Sequence, residues 1–73
     1  DIVKLLRWIH SDETIGPQTK LSSFIHDDLD LFEDLMSIED LCGHELDSTE
    51  FASLIKSGMT VGDIVGWVEL THL

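Results

Sequence analysis

The sequence predicts an all-α protein, a four-helix bundle with three longer helices and one short third helix. Apolar residues return at steps of three and four through most of the chain, which is the period of an amphipathic helix. Helix-capping residues and glycines bracket these stretches, and apolar and polar residues never alternate long enough to predict a strand. A chain of 73 residues is expected to form one domain, residues 1–73, with few apolar side chains to spare from its core.

The first helix is expected over residues 2–10, and a long loop is expected after it. The apolar residues of this helix recur at helical spacing: Ile2, Leu5, Leu6 and Ile9. From residue 11 to residue 27 the chain contains Gly16-Pro17 and many small polar residues, which are typical of a loop. A loop this long in a small domain needs apolar anchors beneath it, for which the candidates are Leu21, Phe24 and Ile25.

The second helix is expected over about residues 28–42, with Gly43 placed to cap its end. Its apolar positions repeat at steps of three and four: Leu29, Phe32, Leu35, Met36, Ile38 and Cys42. Its opposite face is expected to be polar: Asp30, Glu33, Asp34, Ser37, Glu39 and Asp40. Aspartates in a first turn lie against the positive end of the helix dipole, and each stabilises the helix by about 0.3–1 kcal/mol.

Two capping patterns predict the remaining helices. Asp47-Ser48-Thr49-Glu50 is typical of a helix start, and it precedes a short apolar stretch that Gly58 ends, so a short third helix is expected there. Thr60-Val61-Gly62-Asp63 repeats the pattern, and the apolar residues after it predict a fourth helix over about residues 61–70.

The charge of the chain limits its partners. Four Lys and Arg residues against fifteen Asp and Glu residues give a net charge of −11, which repels nucleic acid and anionic membrane surfaces. A charged partner is therefore expected to be basic, although an acidic surface can also serve solubility alone. The apolar runs are too short to span a bilayer, and no leader segment is recognised, so a soluble, cytoplasmic monomer is expected.

The sequence offers no catalytic or metal-binding pattern. The single cysteine, Cys42, excludes an internal disulfide and a cysteine-based zinc site, and its place among apolar positions favours a core role. The four histidines lack the paired spacing of a metal site: His10, His26, His44 and His72. No nucleophile stands at a motif spacing from a base, so a hydrolytic enzyme is disfavoured and no metal is expected.

The layout as a whole resembles the acyl carrier proteins, the small acidic four-helix carriers of fatty acid, polyketide and peptide synthesis. The resemblance spans nearly the whole chain and is most specific from Leu29 to Leu70. There, LDLFEDLMSIEDLCGHEL aligns without a gap with the second helix and following loop of the family, and TVGDIV is similar to the start of its fourth helix. Residues 11–27 are less similar, and this loop is a few residues shorter than is usual in the family.

The resemblance implies a prosthetic group at the head of the second helix. Carrier proteins of this family have an Asp-Ser-Leu motif there, and its serine bears 4′-phosphopantetheine as a phosphodiester. In this chain Leu29 aligns with the motif's leucine, so Asp28 stands at the serine's position. The attachment point is therefore expected at Asp27, Asp28 and Leu29, but the nucleophilic hydroxyl is missing.

Three explanations of the missing serine are open. A serine that carries its prosthetic group can stand between Asp28 and Leu29 without being written in the sequence. Alternatively, Asp28 is native, and the chain is a carrier-like protein that binds its partners without an arm. Finally, the arm can be attached at another serine, for which Ser48 and Ser37 are the candidates.

The resemblance also implies the partners. Phosphopantetheinyl transferase and synthases with basic surfaces are expected to contact the second helix at five positions: Asp30, Glu33, Met36, Glu39 and Asp40. The core and any cavity that shelters an acyl chain are expected to be lined by apolar residues of two helices: Leu29, Phe32, Leu35, Ile38, Val61, Ile64, Val65 and Val68. The expected function is a non-catalytic carrier of thioester-bound acyl or peptidyl intermediates, and the alternative is a helical protein-interaction module without a prosthetic group.

Overall fold

The computed structural model describes residues 1–71, and over this range the protein is built from α-helices without a β-strand. The four helices follow in chain order: α1 (Ile2–His10), α2 (Asp28–Cys42), α3 (Ser48–Lys56) and α4 (Val61–Thr71). A single 3₁₀ turn, Leu21–Ser23, lies in the long loop between α1 and α2. The predicted all-α class with four helices is thereby confirmed, while His72 lies outside the described residues.

The expected lengths of the helices need one correction. α3 is not the one short helix among three longer ones, because α1 and α3 both contain nine residues, against 15 in α2 and 11 in α4. α1 ends at His10, where the sequence predicts its end, because Ser11 adopts the left-handed conformation, with φ of 51°. The N–H of Asp12 then donates to the carbonyl of Arg7 at 3.0 Å, which closes the helix in a Schellman-type cap.

Side-chain caps start the helices where the sequence predicts them. Asp27 Oδ1 accepts from the N–H of Asp30 at 2.8 Å, and Asp47 Oδ1 accepts from the N–H of Thr49 at the same distance. Before α4, the N–H of Thr60 donates to Asp63 Oδ2 at 2.9 Å, and the N–H of Asp63 donates back to Thr60 Oγ1 at 3.3 Å. These bonds satisfy N–H groups that have no partner inside a helix.

The core draws on all four helices and on the long loop. Its fully buried side chains include Phe51, Leu6, Ile15, Leu21, Ile38, Ile64 and Val61. The predicted loop anchors Leu21, Phe24 and Ile25 are all buried, as expected for a loop held down by apolar contacts. Of the expected core residues, Leu35 and Val68 are also buried, whereas Val65 is only partly buried.

The expected core positions Leu29 and Phe32 are wrong, because these side chains are 67% and 51% exposed. α2 carries two apolar stripes, and the one that faces the core contains Leu31, Leu35, Ile38 and Cys42. Asp34 was expected on the outer face, yet its side chain is fully buried. Asp34 lies three residues after Leu31 and four residues before Ile38, so it shares the face of α2 that these residues turn toward the core.

The long loop is joined to the start of α4 by backbone hydrogen bonds. The N–H of Val61 donates to Thr19 O at 2.9 Å, and the N–H of Gly62 donates to Pro17 O at 2.8 Å. A Cβ atom at Gly62 would meet Pro17 O at 3.0 Å, so the close approach of the two segments favours a residue without a side chain here. No helix within residues 1–71 is long and apolar enough to cross a membrane.

Candidate functional site

One face of α2 combines exposed apolar and acidic side chains, and we call it the α2 docking stripe. Its members are Leu29, Phe32, Glu33, Met36 and Asp40. Leu29 and Met36 are 67% and 62% exposed, and about half of Phe32 is open to solvent. Steps of three and four residues bring these side chains to one side of the helix, opposite the stripe that faces the core. The site residues Glu33, Met36 and Asp40 therefore share one exposed surface.

Two other acidic residues expected at the partner surface already bind this chain's own backbone. Glu39 is half-buried, and its Oε2 accepts from the N–H of Leu46 at 2.7 Å. Asp30 is also half-buried, and its Oδ2 accepts from the N–H of His26 at 3.3 Å. Both carboxylates lie beside the α2 docking stripe on α2 and fix the loops that flank the helix.

The start of α2 is an exposed, acidic helix N-terminus. Asp27 caps the helix, Asp28 is the first helical residue, and both side chains are exposed. Within residues 1–71, no side chain forms a hydrogen bond or an ion pair with the carboxylate of Asp28. A cavity of about 260 Å³ lies beside these residues and is lined by Leu31 of α2 and by Ile55 and Lys56 of α3, among others. An anion at this position would meet the positive end of the helix dipole.

The two serines considered as other attachment points differ in their surroundings. Ser37 lies in the middle of α2, where its hydroxyl donates to the carbonyl of Glu33 at 2.8 Å. Ser48 is exposed as the first residue of α3, directly after the capping residue Asp47. Ser48 therefore has the local geometry that Asp28 has on α2, but it lies on a different helix.

A buried histidine–aspartate pair joins α1 to α2, and sequence analysis missed it. His10 Nε2 and Asp34 Oδ2 are 2.7 Å apart, and the second carboxylate oxygen, Oδ1, is buried without a hydrogen-bond partner in the described chain. Burial raises the pKa of Asp34, and the hydrogen bond from His10 opposes this rise. The only sequence signal for this pair is that Asp34 lies in register with the apolar positions Leu31 and Ile38.

An apolar groove lies between α1, α4 and the C-terminal end of α2, far along α2 from Asp28. Its volume is about 700 Å³, and its lining includes Val3, Leu41, Cys42 and Val65. The Cys42 thiol is only partly buried, and it contacts the carbonyls of Glu39 and His44, each at 3.7 Å. Within residues 1–71, no three His, Cys, Asp or Glu side chains are grouped as ligands for a metal ion.

Comparison of the chain with protein-family models, curated proteins and solved structures found no match.

Proposed function

We propose that this protein is an acyl-carrier-protein-like docking protein, which presents the α2 docking stripe to enzymes with basic surfaces and does no chemistry itself. The observation that carries this proposal is the exposure of Leu29, Phe32 and Met36 beside the exposed carboxylates of Glu33 and Asp40. Contiguous apolar side chains on a small acidic protein are typical of a protein-interaction site.

The α2 docking stripe can supply both affinity and specificity. Burying a large apolar side chain contributes about 1.5–3 kcal/mol, so Leu29, Phe32 and Met36 are the expected anchors. Met36 adds an unbranched, adaptable contact that suits several partners in turn. The carboxylates of Glu33 and Asp40 lie beside these anchors, where they favour Lys and Arg side chains on the partner.

The charge of the whole chain supports a basic partner. A net charge of −11 attracts a basic surface over a distance of about one Debye length and raises the rate of encounter at low salt. The partner class is therefore a basic enzyme with an apolar cleft, and phosphopantetheinyl transferases and acyl or peptidyl synthases are the candidates from the resemblance.

A second candidate function is that of a carrier that bears 4′-phosphopantetheine. The cavity of about 260 Å³ beside Asp27 and Asp28 favours it, because an arm attached there could place an acyl chain between α2 and α3. When bound, such an arm supplies a thiol that holds the cargo as a thioester. The carboxylate of Asp28 argues against it, since an acyl phosphate is a labile anhydride and makes a poor permanent attachment.

Docking is tested with Glu33→Lys, measured against a broad-specificity phosphopantetheinyl transferase at low salt. Reversing the charge of an exposed acid in the stripe is expected to weaken binding about tenfold while the melting temperature stays near that of the wild type. Glu45→Lys is the matched control, because Glu45 is an exposed acid outside α2 and its reversal should weaken binding less. Equal affinities of wild type and Glu33→Lys would refute the role of the stripe.

Intact-protein mass separates the two candidates. After incubation with coenzyme A and the transferase, the docking protein gains no mass, whereas the carrier gains one phosphopantetheine. Asp28→Ser is the positive control, since it supplies the hydroxyl at the position that the resemblance indicates. A mass gain by the wild type establishes the carrier, and a gain by Asp28→Ser alone supports a carrier-like protein without an arm.

A further inference from the structure

The contact between α1 and α2 contains one hydrogen-bonded pair of titratable side chains. His10 is in the last turn of α1, and its Nε2 lies 2.7 Å from Oδ2 of Asp34 in the middle of α2. The Asp34 side chain is fully buried, and 17% of the His10 side chain is exposed. The ring of Phe24, from the long loop, packs edge-on against the imidazole with 4.8 Å between the ring centroids.

The charged groups around this pair are mostly acidic. On α2, Asp30 and Glu33 face Asp34, and both disfavour its ionised form. After α1, Asp12 lies close enough to interact with His10. On α1, the guanidinium of Arg7 turns elsewhere, because its Nε donates to Ile15 O at 2.6 Å. The long loop contributes the uncharged ring of Phe24. His10 is therefore the group that compensates a negative charge on Asp34.

We propose that the His10–Asp34 pair is a pH-dependent latch that holds α1 on α2 and loosens as the pH rises. While Asp34 holds its proton, its buried side chain is uncharged and its hydrogen bond with His10 closes the interface. When that proton leaves to solvent, Asp34 carries a negative charge on a fully buried carboxylate. Within residues 1–71 its Oδ1 atom has no hydrogen-bond donor, so the buried charge is compensated through Oδ2 and His10 alone.

The direction of the pH dependence follows from burial. Desolvation raises the pKa of Asp34 above its usual 3.8, despite the opposing hydrogen bond from His10. A carboxyl group that binds its proton more tightly in the folded state than in the unfolded state stabilises the fold. This stabilisation is complete at pH values below the pKa that the group has in the unfolded chain. That contribution is lost as the pH rises from about 3.8 through the raised pKa of the folded state. The latch is therefore tighter on the acidic side of this window.

Urea unfolding as a function of pH tests the proposal, with Asp34→Asn as the variant. Asparagine keeps an oxygen that accepts a hydrogen bond from His10, but it cannot ionise. The unfolding equilibrium constant of the wild type, relative to that of Asp34→Asn, is expected to rise by up to tenfold per pH unit above pH 3.8 and then level off. Asp40→Asn, which removes an exposed carboxylate from the same helix, should keep the wild-type dependence. If the pH profiles of wild type and Asp34→Asn are parallel, the latch is refuted.

Nuclear magnetic resonance of the wild type keeps the proposal testable if Asp34→Asn fails to fold. The carboxyl carbon of Asp34 reports its protonation, and amide protection factors report the opening of each helix. As this carbon titrates, protection is expected to fall in α1 by more than in α4. Protection in α1 that does not change across the Asp34 titration would overturn the proposal. Neither measurement involves a partner, so the result is independent of the docking function.

Discussion

At the scale of single residues, burial gives two phenylalanines opposite roles. Phe51 is fully buried on α3 and stacks on Trp67 of α4, with 5.9 Å between the ring centroids. Phe32 is about half exposed in the α2 docking stripe. The ring of Phe51 is therefore part of the contact between two helices, whereas the ring of Phe32 is available to a partner.

Replacing these residues by alanine separates stability from docking. Phe51→Ala is expected to lower the free energy of unfolding by about 3–5 kcal/mol, because it leaves a cavity in the core. Phe32→Ala is the matched control and should cost less than about 1 kcal/mol, while it weakens partner binding. Urea unfolding midpoints measure both effects. Similar losses for the two variants would contradict the assignment of Phe32 to the surface.

The residue that sequence analysis could least predict is Asp34. An acidic side chain is expected at the surface, and the partner that makes burial possible, His10, is 24 residues away on another helix. Helical periodicity describes each helix alone, so it cannot show which side chain of α1 meets which side chain of α2. By contrast, Glu33, Met36 and Asp40 share one register on α2, and all three side chains are exposed.

At the scale of helices, starts were easier to predict than buried faces. Caps such as Asp47 and the Thr60–Asp63 pair act within three residues, so the local sequence contains all the information they need. The buried face of α2 depends on which of two apolar stripes its neighbours cover. In the sequence the two stripes look like one apolar face, so the expectation that Leu29 and Phe32 lie in the core is wrong.

The end of α1 offers a test of helix capping. Ser11 has φ of 51°, a left-handed conformation that costs a residue with a Cβ atom about 1 kcal/mol. Ser11→Gly is therefore expected to stabilise the protein by about 0.5–1 kcal/mol, measured as a higher melting temperature. The control is Gly43→Ala at the end of α2, where φ is 80° and alanine should destabilise by a similar amount. A lower melting temperature for Ser11→Gly would show that another interaction fixes this turn.

At the scale of the whole molecule, the fold accommodates a large excess of negative charge. The protein measures 29 × 23 × 21 Å and has a net charge of −11, so most of its carboxylates lie within one or two Debye lengths of another. Repulsion among them opposes the compact state. The same charges are expected to attract a basic partner, which gives salt opposite effects on stability and on docking.

Salt is therefore expected to raise the melting temperature of the free protein and to weaken its binding to a basic partner. Between about 0.02 and 0.5 M NaCl, screening shortens the range of repulsion from roughly 20 Å to a few ångströms. The double variant Glu13→Lys/Glu45→Lys reduces the net negative charge by four units outside α2, and its melting temperature should respond less to salt. Calorimetry at several salt concentrations measures the effect. Equal responses of wild type and variant would exclude charge repulsion as the cause.

The hydrogen bonds that join the long loop to the start of α4 have a kinetic consequence. The carbonyls of Pro17 and Thr19 accept hydrogen bonds from residues that come after α2 and α3 in the sequence. The first turn of α4 is therefore completed by a segment from the early part of the chain. Local growth of the last helix is therefore not enough to reach the native state, because two distant stretches must first meet. A cut in the loop between Thr19 and Asp27 would leave Pro17 and Thr19 bound to α4 through these bonds, so the early stretch would dissociate only when they break.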